Sequence, residues 1–298
     1  MTLLVFMLAY LLRRRLDSRD QLDGHQLWRR WFEGLGQRLP QSFPERTSAL
    51  APLLAVAIPT AVVWLAQSYW HHHHWLLVGW LLELLLLLLL LGMPGWRQPL
   101  AHYARAWRRG DMQAAWRYIQ HLLPAHQRGA ALSPETMQMA LSEALMAQVF
   151  WRYFMVLFWY AVGGISAAVL ASGLVALGQS WPQSGKCSQC ERWREWGGWL
   201  PARLLALTFG LAGDLAGWLR QRRQALGHCQ LPVPKLLMAT ADGALTGYAL
   251  DPGRFASLHP QDWQSYGERS LNAIRDLLNR SMLVWLCLLA LMVIAGVA

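Results

Sequence analysis

Residues 75–92 read WLLVGWLLELLLLLLLLG, eighteen positions with a single charge. A helix rises about 1.5 Å per residue, and about 20 mostly apolar residues cross a bilayer. Such a run cannot face water on any side, so it constrains the whole chain toward the membrane. The composition agrees: 55% of residues are hydrophobic and 15% charged, against about a quarter charged in soluble domains. The fold this predicts is all-α, a polytopic transmembrane helix bundle with cytoplasmic and interfacial helices, built as one integral membrane domain over 1–298.

Four further segments read as spans. Residues 50–70 carry no charge and end in aromatics. Residues 149–178 are long enough to cross with tilt. Residues 282–298 are apolar throughout, and 199–218 is weaker because Arg203 and Asp214 lie inside it. Residues 1–12 are apolar but short, and read as an interfacial or re-entrant piece. Arginines follow that stretch rather than precede it, which argues against a signal peptide.

A formal charge of +10 would suit nucleic acid, but in a membrane chain basic loops mark the cytoplasmic side. Residues 13–49 carry eight Lys/Arg, 93–148 six and 219–281 eight. The 71–74 link carries none and 179–198 carries three. This split places 71–74 and 179–198 outside, with 93–148 as a cytoplasmic helical insert. The protein is thus expected at a bacterial inner membrane as a multi-pass chain, with the lipid bilayer as partner and no nucleic acid.

Within the insert, WRRGDMQAAWRYI (107–119) contains Arg-Gly-Asp. Gly110 suits the left-handed position just past one helix, and Asp111 the N-cap of the next. The tripeptide therefore reads as a helix corner rather than an adhesion signal. In 25–39, Trp28, Trp31, Phe32, Leu35 and Leu39 recur at helical spacing. That amphipathic helix suits either the headgroup layer or the protein's own body. The tract at 71–74, HHHH, reads as a polar turn between Trp70 and Trp75, and no metal is assigned to it. Cys187 and Cys190 form one CxxC with no second ligand pair nearby for zinc. They read either as a disulfide or as two unpaired thiols. Cys287 fills an apolar span, and Cys229 has no assigned role.

Glu83 is an acid inside the leucine run. Intramembrane acids are costly and face a bundle interior or a wet cavity. It reads equally as functional or structural, protonated or paired with Arg203 or Arg152. Gly164, Ala168 and Ser172 recur every four residues, a small-residue face that joins helices within one chain or makes a homodimer. In 199–218 a continuous helix would put Arg203 and Asp214 on one polar, small-residue face, roughly 16 Å apart.

The order of these features carries a resemblance. RQPLAHYARAWRRGDMQAAWRYIQ after a span, then VLFWYAVGGISAAVL, then WLPARLLAL, is similar to the AmpE inner-membrane proteins, from about residue 75 onward. After 219, only TADGALTGYAL matches. The wider superfamily includes the CobD/CbiB cobalamin-pathway enzymes, which join an aminopropanol to a corrinoid acid with ATP. Gly110-Asp111 and Pro201-Ala202-Arg203 match positions shared with those enzymes. The acidic pair before Pro-Ala-Arg is replaced by Trp196, Gly197 and Gly198, and of the Glu-Asn-Thr motif only Glu143 remains. The resemblance therefore implies a regulatory or signalling protein modulating β-lactamase induction or the peptidoglycan-recycling response. A cell-wall-recycling ligand or protein would be its partner, with no cofactor. The alternative is a diverged amide-forming ligase using Mg-ATP. Arg203, Asp214, Asp111 and Glu143 are the candidate ligand-binding residues.

Overall fold

The computed structural model describes residues 2–16, 24–38, 45–72, 76–92, 95–124, 128, 133–181, 188–226, 231–245 and 249–295. Among them every regular element is helical: α1 (Thr2–Leu16), α2 (Gly24–Arg38), α3 (Glu45–His72), α4 (Leu76–Leu90), α5 (Arg97–Arg108), α6 (Met112–Ile119), α7 (Pro134–Val149), α8 (Met155–Ser180), α9 (Ser188–Ala212), α10 (Leu215–Leu226), α11 (Val233–Ala244), α12 (Pro252–Leu258) and α13 (Trp263–Ile294). Among the described residues three helical stretches are long and apolar enough to cross a membrane: Ala51–Trp70, Pro134–Ser180 and Pro260–Ile294. Val78–Leu90, the leucine run, is a shorter apolar helix. The chain is an all-α membrane protein. His73, His74, Cys187, Cys229 and part of the 240–250 motif lie outside the described residues.

The chain divides into two compact units, one made of residues 1–94, 151–201 and 288–298, the other of 95–150 and 202–287. That division is not visible in the sequence pattern.

In the first unit, α8 does not cross the unit once. Its backbone leaves the helix at Gly163 (φ −135°, ψ 18°) and Gly164 (φ 69°, ψ −162°). Both sides of that break lie against α9. The Arg194 guanidinium carbon is 5.2 Å from the centroid of the Trp151 ring and 3.7 Å from where a Cβ on Gly178 would stand. One straight helix would hold residues 151 and 178 about 40 Å apart. One turn further along α9, the Cβ position of Gly197 meets both Met155 (3.1 Å) and Leu174 (3.6 Å). The segment is therefore a helical hairpin, with a first arm ending at Gly163 and a second arm running from Gly164 to Ser180. This corrects the reading of 149–178 as one crossing. The positive φ and extended ψ of Gly164 belong to glycine, because a Cβ in that conformation strikes the backbone.

The remaining helices fix the direction of the arms. Gly164 lies beside Gln67 on α3, its Cβ position 3.5 Å from the Gln67 Nε2, and Gly173 lies against Val56 and Trp28. So α3 runs antiparallel to the second arm. Arg152, in the π-helical turn Phe150–Phe154, donates to the Gly92 carbonyl at 3.2 Å, so the first arm starts beside the end of α4. Arg13, 1% exposed, donates to the Leu88 carbonyl at 3.0 Å. The last carbonyls of a helix have no partner within it. Here two arginines, from α1 and from the π turn, supply donors to the end of the leucine helix, where positive charge also suits the helix dipole.

The amphipathic helix α2 packs on its own unit. Trp28 and Phe32 are buried with Val56, Val169, Leu177 and Trp181, and the Trp31 indole donates to the Ala55 carbonyl at 2.9 Å. Ala168 and Ser172 are buried inside the unit, and Gly164 is the hairpin break rather than a step of a helical stripe. Ala168 and Ser172 are therefore used for packing within the chain. Cys190 is buried beside Trp28 and Phe32 and is disulfide-bonded; Cys287 is a free thiol.

In the second unit the corner at Gly110 forms as its sequence predicts. Gly110 has φ 76°, and Asp111 caps α6 by accepting from the Ala114 N–H at 2.9 Å. The α5–α6 pair packs on α7, and so do α11 and α12, while α10 and α11 pack on each other. Trp107 is fully buried, donates to the Trp263 carbonyl, and sits in an aromatic cluster with Tyr103, Trp263 and Tyr266. The Tyr103 hydroxyl donates to the Gln138 Oε1 at 2.5 Å.

Candidate functional site

Glu83 lines a cavity of about 180 Å³ in the first unit. Two helices and the tip of the hairpin make it. Along α4, Gly79 and Glu83 stand one helical turn apart on the same face, with Leu82 and Leu86 beside them. Along α3, Val63, Ala66, Gln67 and Trp70 recur at helical spacing and face the same space, and Ile165 of the second arm completes the lining. Gly79 and Ala66 leave room within an otherwise bulky lining. No atom lies within 4 Å of where a Cβ on Gly79 would stand, so any larger side chain would project into the void.

The cavity combines apolar walls with a few polar groups, the composition typical of small-ligand sites. Its polar members are the Glu83 carboxyl, the Gln67 amide and the indoles of Trp70 and Trp80. Tyr160, on the first arm, is near enough to feel the charge of Glu83 and stacks on Phe6 of α1. The broken backbone at Gly163–Gly164 belongs to the same neighbourhood. Non-helical backbone at membrane depth survives only where protein buries it or where it lines a cavity. Here the Ser166 hydroxyl donates to the Gly163 carbonyl at 3.3 Å, and Gln67 stands against Gly164. Arg152, one of the two partners the sequence allows for Glu83, places its guanidinium on the Gly92 carbonyl.

The four other candidates lie in the second unit. Asp111 is an exposed N-cap. Asp214 is exposed as well, and its Oδ1 accepts from the Ala216 N–H at 3.0 Å at the start of α10. The continuous helix expected through 199–218 does not form. It stops at Ala212, and the Asp214 N–H donates to the Ala244 carbonyl of α11 at 2.8 Å. Gly213 permits this approach, because a Cβ on it would come within 2.5 Å of that same carbonyl oxygen. Arg203 and Asp214 therefore do not share one helical face. Arg203 on α9 and Glu143 on α7 are half-buried. Among the described residues no ion pair joins any two of the four, and the same residues hold no cluster of three or more metal-ligating side chains.

Sequence reasoning singles out Glu83 but misses Gln67, Trp70, Gly79 and Trp80. The available signal is the lone amide at Gln67, one turn before the histidine tract, within the charge-free stretch 50–70.

A family model described as "Regulatory signalling modulator protein AmpE" matches residues 1–225. The match includes the segment ahead of the leucine run, where the resemblance read from the sequence is weaker, and it ends before the 240–250 motif. No curated protein and no solved structure matches the chain.

Proposed function

The chain belongs to the AmpE family of regulatory signalling modulators, and on that premise we propose that it acts as a multi-pass protein of a bacterial inner membrane. There it modulates β-lactamase induction or the peptidoglycan-recycling response through occupancy of the Glu83 cavity. The observation that carries this reading is the cavity itself. An acid at membrane depth is expensive, and here it faces a ligand-sized space bounded by a broken helix. A modulator of this kind responds to a small molecule or lipid by favouring one arrangement of the hairpin tip over another, and it can shift that balance only by differential affinity.

The amide-forming alternative needs carboxylates to hold magnesium. Asp111 and Asp214 each commit an oxygen to a helix cap, and the regulatory reading takes no step through Mg-ATP.

The test is genetic. A host lacking this gene is complemented with the wild-type chain or with Glu83→Gln, at matched membrane abundance, and β-lactamase activity is read after exposure to a sub-inhibitory β-lactam. The wild-type chain is expected to shift the induction ratio away from the empty-vector value, and Glu83→Gln to return it. Equal ratios for wild type and empty vector refute the regulatory role. A Glu83→Gln chain that behaves as wild type removes the cavity from it.

A further inference from the structure

We propose that the cavity between α3 and α4 takes one acyl chain of a membrane phospholipid, entering from the bilayer; this rests on reading that cavity as the regulatory site and names its ligand class. Three observations converge. The first is position. The α3 part of the lining, from Val62 to Trp70, lies inside the membrane-crossing stretch Ala51–Trp70, and the α4 part, from Gly79 to Leu86, lies inside the apolar helix Val78–Leu90. Two of the lining residues, Val62 and Leu85, are 60% and 54% exposed, and Leu65 and Leu81 nearby are exposed as well. The cavity therefore opens on the apolar outer face of the helix pair, where lipid chains lie. The second is the lining. Glu83 and Gln67 are the polar residues among twelve along the described wall, the rest being aliphatic, indole or glycine. Water does not settle where it finds so few polar partners, and an empty space forfeits dispersion contacts along its whole wall. A flexible hydrocarbon chain supplies those contacts and needs no partner from either polar group. The third is size. About 180 Å³ exceeds the roughly 150 Å³ of an engineered apolar cavity that accepts benzene. That is room for a stretch of one chain and leaves the head group outside. Ile165, in the same wall, follows Gly164 directly, so an inserted chain bears on the broken tip of the hairpin.

The probe is phosphatidylglycerol with a photoactivatable diazirine midway along one acyl chain, in nanodiscs that hold the full chain. After illumination, labelled residues are mapped by peptide mass spectrometry. Leu65 and Leu81, on the outer face, report ordinary lipid contact, while Val63, Leu82 and Ile165 report entry into the cavity. Both sets are expected to be labelled in the wild-type chain. Nothing lies within 4 Å of the Gly79 Cβ position, so Gly79→Leu fills the void from α4, and Ala66→Leu fills it from α3. Each should remove label from the inner set and leave the outer set labelled. Val78→Leu, at an exposed neighbour of Gly79, should change neither set. Phosphatidylcholine with the same modified chain should label the inner set equally, because the chain is what the cavity holds. An unlabelled inner set in the wild-type chain, inner labelling that survives both filling variants, or inner labelling that is lost when the head group changes overturns the proposal. These readouts do not involve induction, so failed labelling refutes the lipid chain and leaves the regulatory role to its own test.

Discussion

Gly164→Ala decides whether α8 folds back, because the two geometries predict opposite signs. Gly164 has φ 69° and ψ −162°, a combination available almost only to glycine. A residue with a Cβ held there costs about 1–3 kcal/mol. The space around it is not the problem, since the nearest atom to the Cβ position is the Gln67 Nε2 at 3.5 Å, an ordinary contact. The penalty is therefore conformational, and it corresponds to about a 5- to 150-fold loss in the folding equilibrium. If residues 149–178 were one uninterrupted helix, the same substitution would stabilise it by about 0.5–1 kcal/mol, since glycine is a poor helix former. Gly34→Ala is the internal control. Gly34 lies within α2 with nothing within 4 Å of its Cβ position, so that change should stabilise by up to about 1 kcal/mol. Reversible unfolding in mixed micelles, read by far-ultraviolet circular dichroism, measures both. A Gly164→Ala chain as stable as wild type, or more stable, refutes the hairpin.

Two other outcomes test the packing. Arg152→Ala should cost about 1–3 kcal/mol in the same assay, because the Gly92 carbonyl loses its donor in a part-buried setting; Arg152→Lys should recover part of the loss, and an unchanged midpoint for Arg152→Ala would remove the capping role. Burial, and after it the neighbouring Tyr266, holds the Tyr103 phenol well above its ordinary value. The folded chain therefore keeps a proton that the unfolded chain gives up above about pH 10. The stability from this group is complete below about pH 10 and declines as pH rises beyond it. Thermal midpoints should fall less steeply in that range for Tyr103→Phe, and parallel curves for the two chains would contradict the assignment.

What the sequence made legible was local. The leucine run, the Gly110–Asp111 corner and the apolar face of α2 all follow from composition, caps and helical spacing, and each is present. The two errors of geometry share a cause. In 149–178 the glycine pair sits in a run of small apolar residues, where Gly164, Ala168 and Ser172 imitate a helix-packing stripe. Periodicity cannot separate a glycine that packs from one that turns the chain. In 199–218 the polar face of Arg203 and Asp214 assumed an unbroken helix. The break at Gly213 depends on the Ala244 carbonyl, which belongs to α11 and lies far along the chain. The cavity was illegible for the same reason. Glu83 signalled a polar site, but its walls come from α3, α4 and the hairpin tip, and only the fold brings them together. The donors that Arg13 and Arg152 supply to the end of α4 likewise join residues 60 to 75 positions apart.

The hairpin also changes the side on which part of the chain emerges. Counting 149–178 as one crossing put residues 179–198 outside with the histidine tract. In the first unit, the start of α3, the end of α4 and both ends of the hairpin lie at one end, and His72 and Gly164 lie toward the other. Arg13, Arg152 and Arg194 gather at the first of these. Residues 61–72, 76–80 and 160–170, at the second, contain no lysine or arginine. The charge asymmetry is therefore cleaner than the linear count suggested, and on it we propose the basic end as the cytoplasmic one. The disulfide at Cys190 points the other way, since cytoplasmic thiols are usually reduced. Cys190 is 1% exposed, which keeps thiol reductants from the bond, so the proposed side follows the charge. On that proposed orientation Glu83, Trp70 and Trp80 stand toward the non-cytoplasmic half of the unit. A ligand for that cavity would then approach from the outer leaflet or the compartment beyond it, opposite the arginines that hold the end of α4.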